Sequence, residues 1–509
     1  MAFAITQTCC NDATCVSVCP VNCIHPTPEE RAFGSTEMLH IDPKSCIDCG
    51  ACADACPVDA IFPVERLTGA QREYARINAA YYENDANEEH RPERPVPGPV
   101  FHDWGAPSFD RVLPPDFGPL RVAVVGTGPA GMYAARDLLL HTPAEVTLID
   151  RLPVAGGLVR YGVAPDHPST KKAGESFARF LAHPRVRLCL GLEVGEGGVT
   201  ADELAAHHDA VIYAVGAPEA RRLGVPGEER PGSVAATEFV AWCNGHPDVA
   251  PDAFGLSADR VVVVGNGNVA LDAARLLVSD PATLEGTPIA AHALAELRRS
   301  KVREVVVLGR RGPEHAAYTR TELLALKHLP GVDLVVDDHD PAVGAAVDAA
   351  AQRDKAAVLK DVRREAVDWS LPPAADGPRR IVFRFLSAPA EVCGEESVRA
   401  VRVTGAAGEV EIPAGLALRA VGHRGTPLAG LPFDESTGTV PHDRGRVTGR
   451  PGTYVVGWIK RGASGGIGAN RVCATETVGS LLDDAAAGRL PSPTGSARSF
   501  RRLARRRGR

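Results

Sequence analysis

The sequence predicts an α/β fold, two nucleotide-binding sheets behind a small α+β cysteine-rich domain, on three observations. Two runs of β-branched residues lead into glycine-rich turns and then helical patterns, at 121–140 and 260–277. Nine of the 13 cysteines fall within the first 56 residues. A stretch rich in Pro, Glu and Asn separates those cysteines from the first β-branched run. At 509 residues the chain has room for two to four domains. A hydrophobic share of 44% with 23% charged residues is ordinary for a globular protein. No apolar run reaches the ~18–20 residues that cross a bilayer. The start, MAFAITQTCC, lacks a basic region ahead of an apolar core, so the expected location is cytoplasmic, without a membrane span. With a net charge of −7, no nucleic-acid partner is expected.

Residues 1–62 form the first expected domain. Clustered cysteines in a cytoplasmic protein point to metal or redox chemistry, not to structural disulfides. Cys46-x2-Cys49-x2-Cys52-x3-Cys56-Pro57 has the spacing of iron–sulfur runs in which the fourth cysteine ligates a second cluster. The preceding half supplies Cys9, Cys15 and Cys19-Pro20. One [4Fe–4S] cluster is therefore expected on Cys19, Cys46, Cys49 and Cys52, and another cluster on Cys9, Cys15 and Cys56. Three ligands suit a [3Fe–4S] centre most simply, while Cys10 or Cys23 remain able to complete a second [4Fe–4S] cube. Two C-x2-C pairs also match zinc, but the overlapping run with prolines after Cys19 and Cys56 is more specific for iron and sulfide. On AFAIT, CPVNCIHP and IDPKSCIDCGACADACPVDAIF the segment resembles the seven-iron bacterial ferredoxins. Its Cys9–Cys15 loop is two residues shorter than that family's usual spacing.

Residues 63–118 read as a Pro-rich linker with a short helix within Glu65–Tyr82 and with Tyr81, Tyr82 and Trp104 as docking anchors.

The first glycine turn opens the next domain, expected at 119–217. Gly126-Thr-Gly128-Pro-Ala-Gly131 follows the strand Arg121–Val125 and precedes a helix. In that setting Gly126 allows the tight turn, Gly128 lets backbone approach a pyrophosphate, and Gly131 lets helix and strand pack closely. Asp150 ends the next strand, where a ribose-binding acid is expected. Residues 151–172 read as a ligand-lining loop, and Thr200-Ala-Asp-Glu203 as a capping box.

A second Rossmann-like fingerprint, Gly265-Asn266-Gly267-Asn268-Val269-Ala270, marks an inserted domain expected at 218–413. The strand Arg303–Leu308 ends in Gly309-Arg310-Arg311, and two arginines where an acid would favour NAD suit a 2′-phosphate, hence NADP. Asp348–Arg380 reads as a helix and loop. Residues 414–490 would return to the first nucleotide-binding domain.

The motifs VVGTGPAGMYAA, LVRYGVAPDHP, VVGNGNVALDAARLL, LGRRGPEHAAYT and VVGWIKRGASGGIGAN resemble the adrenodoxin reductase family of NADPH:ferredoxin reductases, across 120–485. The resemblance implies FAD at the first fingerprint, near Ala130, Asp150, Leu158 and Val194, with Trp458 and Gly465, Gly466 and Ile467 closing over it. It implies NADP at Asn266–Val269, Arg310, Arg311 and Glu322, and places His167 and Asp272 as catalytic candidates between flavin and nicotinamide. The acid usual three residues after Glu322 is Ala325 here. The implied activity is that of a ferredoxin–NADP reductase (EC 1.18.1.2 type), with hydride passing from NADPH to FAD and single electrons to the fused domain or a separate ferredoxin. Alternatives are an iron–sulfur flavoprotein reducing a small organic substrate, and a redox sensor. A disulfide reductase is disfavoured because no CxxC lies near the flavin segments.

The tail, 491–509, carries seven arginines in its last twelve residues and reads as solvated and disordered, with contact to the acidic first 60 residues, or to nucleic acid or membrane, as the alternatives.

Overall fold

Each glycine-bearing segment starts its own sheet, the first parallel except at one edge and the second parallel throughout. The computed structural model describes residues 2–83, 113–115, 117–352, 354–406 and 408–508. In the first sheet Arg121–Val125 lies between Glu145–Asp150 and Ala210–Tyr213, all parallel. Val186–Leu190 flanks one side, and Thr453–Val455, Arg446–Val447 and His442–Asp443 extend the other. Val122, Ala123 and Val124 are fully buried, as a strand covered on both faces requires. The helix Pro129–His141 covers one face and is itself covered by the helix Ala469–Ala486.

The second sheet has seven strands in the order Ser233–Ala235, Leu416–Arg419, Arg260–Val264, Glu304–Leu308, Arg379–Arg384, Val332–Asp337 and Arg363–Glu365, all parallel. A three-stranded antiparallel sheet, 388–413, packs Val392, Val401 and Ile412 onto it beside Val262 and Val306. Leu416–Arg419 pairs with Arg260–Val264, so the domain boundary expected after 413 is wrong. The chain instead crosses out and back through a two-stranded ribbon, Glu219–Ala220 with His423–Arg424.

Three other expectations are also corrected. The segment after 62 is not all linker: the helix Arg72–Glu83 belongs to the cysteine-rich domain. Its Asn78 side chain accepts from Ile5 N (3.1 Å) and Ile41 N (2.8 Å), tying two strands together, and Tyr82 donates to the His40 carbonyl (2.7 Å). Trp104 and most of the Pro-rich stretch lie outside the described residues. The loop after Asp150 contains the short helices Gly157–Tyr161 and Pro168–Lys171.

The tail is a helix, Ala497–Arg507, opened by a Ser496–Ser499 capping box. Its Phe500 and Leu503, three residues apart, bury against the first domain, with Phe500 edge-on to His208 at 4.7 Å. Seven arginines conceal this two-residue apolar stripe in the sequence, and the helix docks on the first sheet, not on the acidic segment.

The cysteine-rich domain pairs Phe3–Ile5 with Ile61–Pro63 and Ile24–His25 with His40–Ile41, and carries the helices Thr14–Ser17 and Ala51–Ala55.

Candidate functional site

Both glycine turns present helix N-termini with donors to spare. The helices that begin after Gly128 and Gly267 have no side-chain cap, so their first N–H groups remain for a phosphate. At the first, Gly131 meets the carbonyl of Gly126 so closely that a Cβ would lie 2.0 Å from that oxygen. Across the cleft Gly157 faces Gly128, where a Cβ on Gly157 would fall 2.7 Å from the Gly128 Cα. Asp150 accepts from Thr127 N (2.9 Å) and Oγ1 (2.5 Å) through Oδ2, and from Leu152 N (3.0 Å) through Oδ1. The structure thus places Asp150 against the glycine turn, with Leu158 exposed on the short helix beyond it and Val194 in a bridge with Val199. Trp458 donates its indole N–H to the Gly465 carbonyl (3.1 Å), which ties it to the Gly465–Ile467 loop.

In the second cleft Asn266 and Asn268 accept from the backbone of Ala317 (3.2 Å) and Thr319 (2.8 Å), and Val269 is half-buried behind them. Arg310 and Arg311 are exposed at the strand end, and among the described residues neither guanidinium makes an ion pair. Two free guanidinium groups in that place suit a phosphate.

Between the clefts lies a buried charge cluster. Arg275 donates to both oxygens of Asp166 (2.6 and 3.1 Å) and to Asp272 Oδ1 (2.6 Å), and stands 2.5 Å from His167 Nε2. Glu322 Oε2 lies 3.6 Å from Arg275 and 3.9 Å from His167. Asp166 and His167 come from the first domain, the other three from the second, so the cluster latches the two. Burial works against the charge on Asp272, but Arg275 outweighs it and lowers its pKa to about 2. For Glu322 burial dominates and raises the pKa. On His167, burial is outweighed by the hydrogen bond and charge of Asp272, and the pKa rises. His167, Asp272 and Glu322 lie close enough to resemble a metal site. The Arg275 guanidinium among them already supplies the positive charge.

The cysteines divide into two sets. Cys9, Cys10, Cys15 and Cys56 line one void, with Asp12; Cys19, Cys23, Cys46, Cys49 and Cys52 line another. Burial pushes Cys9 up to about 11 and Cys52 up to about 12, whereas hydrogen bonding from Cys23 holds Cys19 and Cys46 at about 6. Backbone N–H groups point at sulfur in both sets, Ala60 N to Cys56 Sγ (3.2 Å) and Cys23 N to Cys19 Sγ (3.4 Å), as metal-bound thiolates require of their surroundings.

Comparison with known proteins decides the family. Residues 120–308 match the pyridine nucleotide-disulphide oxidoreductase family and residues 39–62 the 4Fe-4S binding domain family. A probable ferredoxin/ferredoxin–NADP reductase of Mycobacterium tuberculosis is 47% identical over 97% of this chain and 85% of its own length. The chain belongs to the ferredoxin–NADP reductase family. An NADPH:adrenodoxin oxidoreductase of Arabidopsis thaliana is 37% identical over 72% of this chain and 82% of its own. The solved structure of Mycobacterium tuberculosis FprA in complex with NADPH matches with a TM-score of 0.69 at 40% identity, covering 77% of this chain and 90% of that one. Among the described residues no helix is long and apolar enough to cross a membrane.

In this member of the reductase family the N-terminal ferredoxin domain is seated on both other domains. Gly468 N donates to the Cys10 carbonyl (2.9 Å) and Arg471 to the Asp12 carbonyl (2.6 Å), directly beside the Gly465–Ile467 loop. Glu37 accepts from Arg320 N (2.7 Å) and pairs with Lys355 (3.5 Å), and Lys172 pairs with Asp59. Sequence reasoning missed Gly468, Arg471, Arg275 and Asp166. Arg275 lies three residues after Asp272 on a helix, a spacing that could have paired them; Asp166 and Gly468 lie within the motifs LVRYGVAPDHP and VVGWIKRGASGGIGAN, and nothing local marks Arg471.

Proposed function

We propose that this protein is an NADPH:ferredoxin oxidoreductase that takes hydride from NADPH at the second cleft and delivers single electrons through its own ferredoxin domain to a separate ferredoxin or other one-electron acceptor. The contact of Gly468 with Cys10 carries this reading, because one backbone segment, 465–468, both packs Ile467 against the core around the first glycine turn and seats the first cysteine pocket. FAD, when bound, supplies the exchange between a two-electron hydride donor and one-electron acceptors. The uncapped helix after Gly128 and the close Gly128–Gly157 approach fit its pyrophosphate. Arg310 and Arg311 bind the 2′-phosphate of NADP, and Asn266–Val269 its pyrophosphate. The Arg275 cluster holds the two clefts in register, which is what hydride transfer needs, since it requires close approach and no general base. His167, Asp272 and Glu322 are thus positioning residues in this reading. Cys19, Cys46, Cys49 and Cys52 hold a [4Fe–4S] cluster, and Cys9, Cys15 and Cys56 a second cluster.

Anaerobic stopped-flow mixing of the full chain with NADPH tests this. Flavin reduction followed by bleaching of the iron–sulfur absorbance is expected; no flavin reduction by NADPH overturns the reading. A Cβ on Gly468 would lie 2.2 Å from the Asn11 backbone. Gly468→Ala is therefore expected to slow the bleaching about tenfold or more while flavin reduction keeps its rate.

A further inference from the structure

We infer that the first cysteine pocket holds a four-iron cube whose fourth iron is ligated by the carboxylate of Asp12. The inference rests on the assignment of residues 1–62 as an iron–sulfur domain and deepens it. Its basis is an internal repeat with an offset of 37 residues: Cys9 maps to Cys46, Cys15 to Cys52, Cys19-Pro20 to Cys56-Pro57, and Asp12 to Cys49. Written by spacing, the first half is Cys9-x2-Asp12-x2-Cys15-x3-Cys19-Pro20, the same as the second with one ligand type exchanged.

The backbone repeats with the sequence. Left-handed residues occur in register at Asn11 and Asp48 (φ 55° and 60°), Ala13 and Gly50 (57° and 75°), and Asn22 and Asp59 (48° and 48°). Ala13 and Gly50 each cap the N-terminus of a short helix, Thr14–Ser17 and Ala51–Ala55. An alanine disfavours that conformation, so its recurrence where the second half uses glycine marks a loop shape that both ligand sets demand. The N–H to sulfur bonds onto Cys19 and Cys56 recur at the same offset. Asp12 thus occupies the position at which Cys49 serves the other cluster, and it lines the first void with Cys9, Cys15 and Cys56.

Neither spare cysteine has a ligand counterpart. Cys10 maps to Ile47 and Cys23 to Ala60. The Cys23 sulfur lies 3.4 Å from that of Cys19, in the second pocket, and so does not reach the first.

A carboxylate is a harder donor than a thiolate and holds cluster iron less firmly. The iron on Asp12 is therefore the labile corner of its cube. That corner faces the reductase: Asp12 accepts from the Thr14 hydroxyl, and Arg471 reaches both Thr14 Oγ1 (3.4 Å) and the Asp12 carbonyl (2.6 Å). One-electron oxidation by ferricyanide, which becomes ferrocyanide, converts the [4Fe–4S]2+ cube to a [3Fe–4S]+ core and releases Fe2+ from the Asp12 carboxylate.

The experiment uses the full chain reconstituted anaerobically with iron and sulfide, read by iron content and by electron paramagnetic resonance. The wild type is expected to hold two cubes, and to lose one iron per chain on ferricyanide treatment with appearance of the oxidised three-iron signal. Asp12→Cys is expected to keep that iron under the same treatment. Asp12→Ala is expected to be one iron short from the outset, with the three-iron signal present before oxidant. Flavin content and the reduced signal of the second cluster report that each variant is folded. The inference is overturned if Asp12→Ala keeps both cubes while Cys10→Ala loses an iron. It is equally overturned if the reconstituted wild type stays one iron short and Asp12→Cys does not gain it. In either case NADPH-driven bleaching of the clusters would persist, whereas a wild-type chain that binds no iron overturns the underlying assignment as well.

Discussion

The two glycine turns are near copies in backbone and opposites in surroundings. Gly126 and Gly265 adopt φ of 105° and 114°, and a Cβ on either would fall 2.4 or 2.3 Å from the carbonyl of Ala214 or Ala420 on the neighbouring strand. At the third position they part: Gly131 has no room for a methyl group, while Ala270 buries one completely. The strand ends part further, into Asp150 locked by Thr127 and Leu152, and Arg310 and Arg311 free in solvent. The first turn is also roofed by the helix Ala469–Ala486 and by the loop that seats the ferredoxin domain. Backbone geometry alone suits a pyrophosphate equally in either cleft; the two clefts differ in the side chains at the strand end and in the cover above.

Substitution at the first turn is the severest way to break the comparison. Gly131→Val drives a branched side chain into the Gly126 carbonyl and is expected to abolish FAD binding, read as flavin absorbance per chain; Ala270→Gly leaves FAD in place and costs about 1 kcal/mol of stability. Next in size, Arg310→Ala with Arg311→Ala removes charged hydrogen bonds each worth about 1.5–3 kcal/mol. The KM for NADPH should rise by roughly 10-fold or more while that for NADH barely moves; equal losses would remove the distinction between the strand ends. Asp150→Glu lengthens the carboxylate by one methylene, and a shift in FAD affinity of about tenfold or less is expected in dialysis.

The smallest effect concerns the C-terminal helix, a brace found on the first sheet alone. Burial lowers the pKa of His208, against which Phe500 packs, to about 4. A histidine held neutral in the fold loses stabilising effect as pH falls from its unfolded value near 6.5 toward 4, because the unfolded state then takes up the proton. Protection of residues 497–507 from proteolysis should therefore weaken from pH 7 to pH 5 and recover in His208→Gln.

Much of this was legible locally. The strand–glycine–helix order, the arginines after Leu308 and the run Cys46–Cys56 each sit within a short window, where spacing and residue type already imply geometry. The misreadings came from relations outside any window. Leu416–Arg419 looked like a return to the first domain until its pairing with Arg260–Val264 placed it in the second. The arginine-rich tail hid Phe500 and Leu503, and the linker hid Asn78, whose amide matters only once two strands flank it. Asp12 was visible in the sequence, but an acid among cysteines carries no signal until both halves are aligned and their left-handed residues coincide.

By itself, then, the sequence determined two nucleotide-binding turns, a pair of arginines after the second, and a cysteine domain built for iron and sulfide, because those properties reside in residues close along the chain. Tertiary structure alone decided where the domains meet. It set Gly468 and Arg471 against the loop 10–12, assembled the Arg275 cluster from two domains, and put Asp12 at the interface beside the Gly465–Ile467 loop. Apart from Arg275 with Asp272, these contacts join residues from about one hundred to more than four hundred and fifty positions apart, and their chemistry depends on burial and packing that no local pattern encodes.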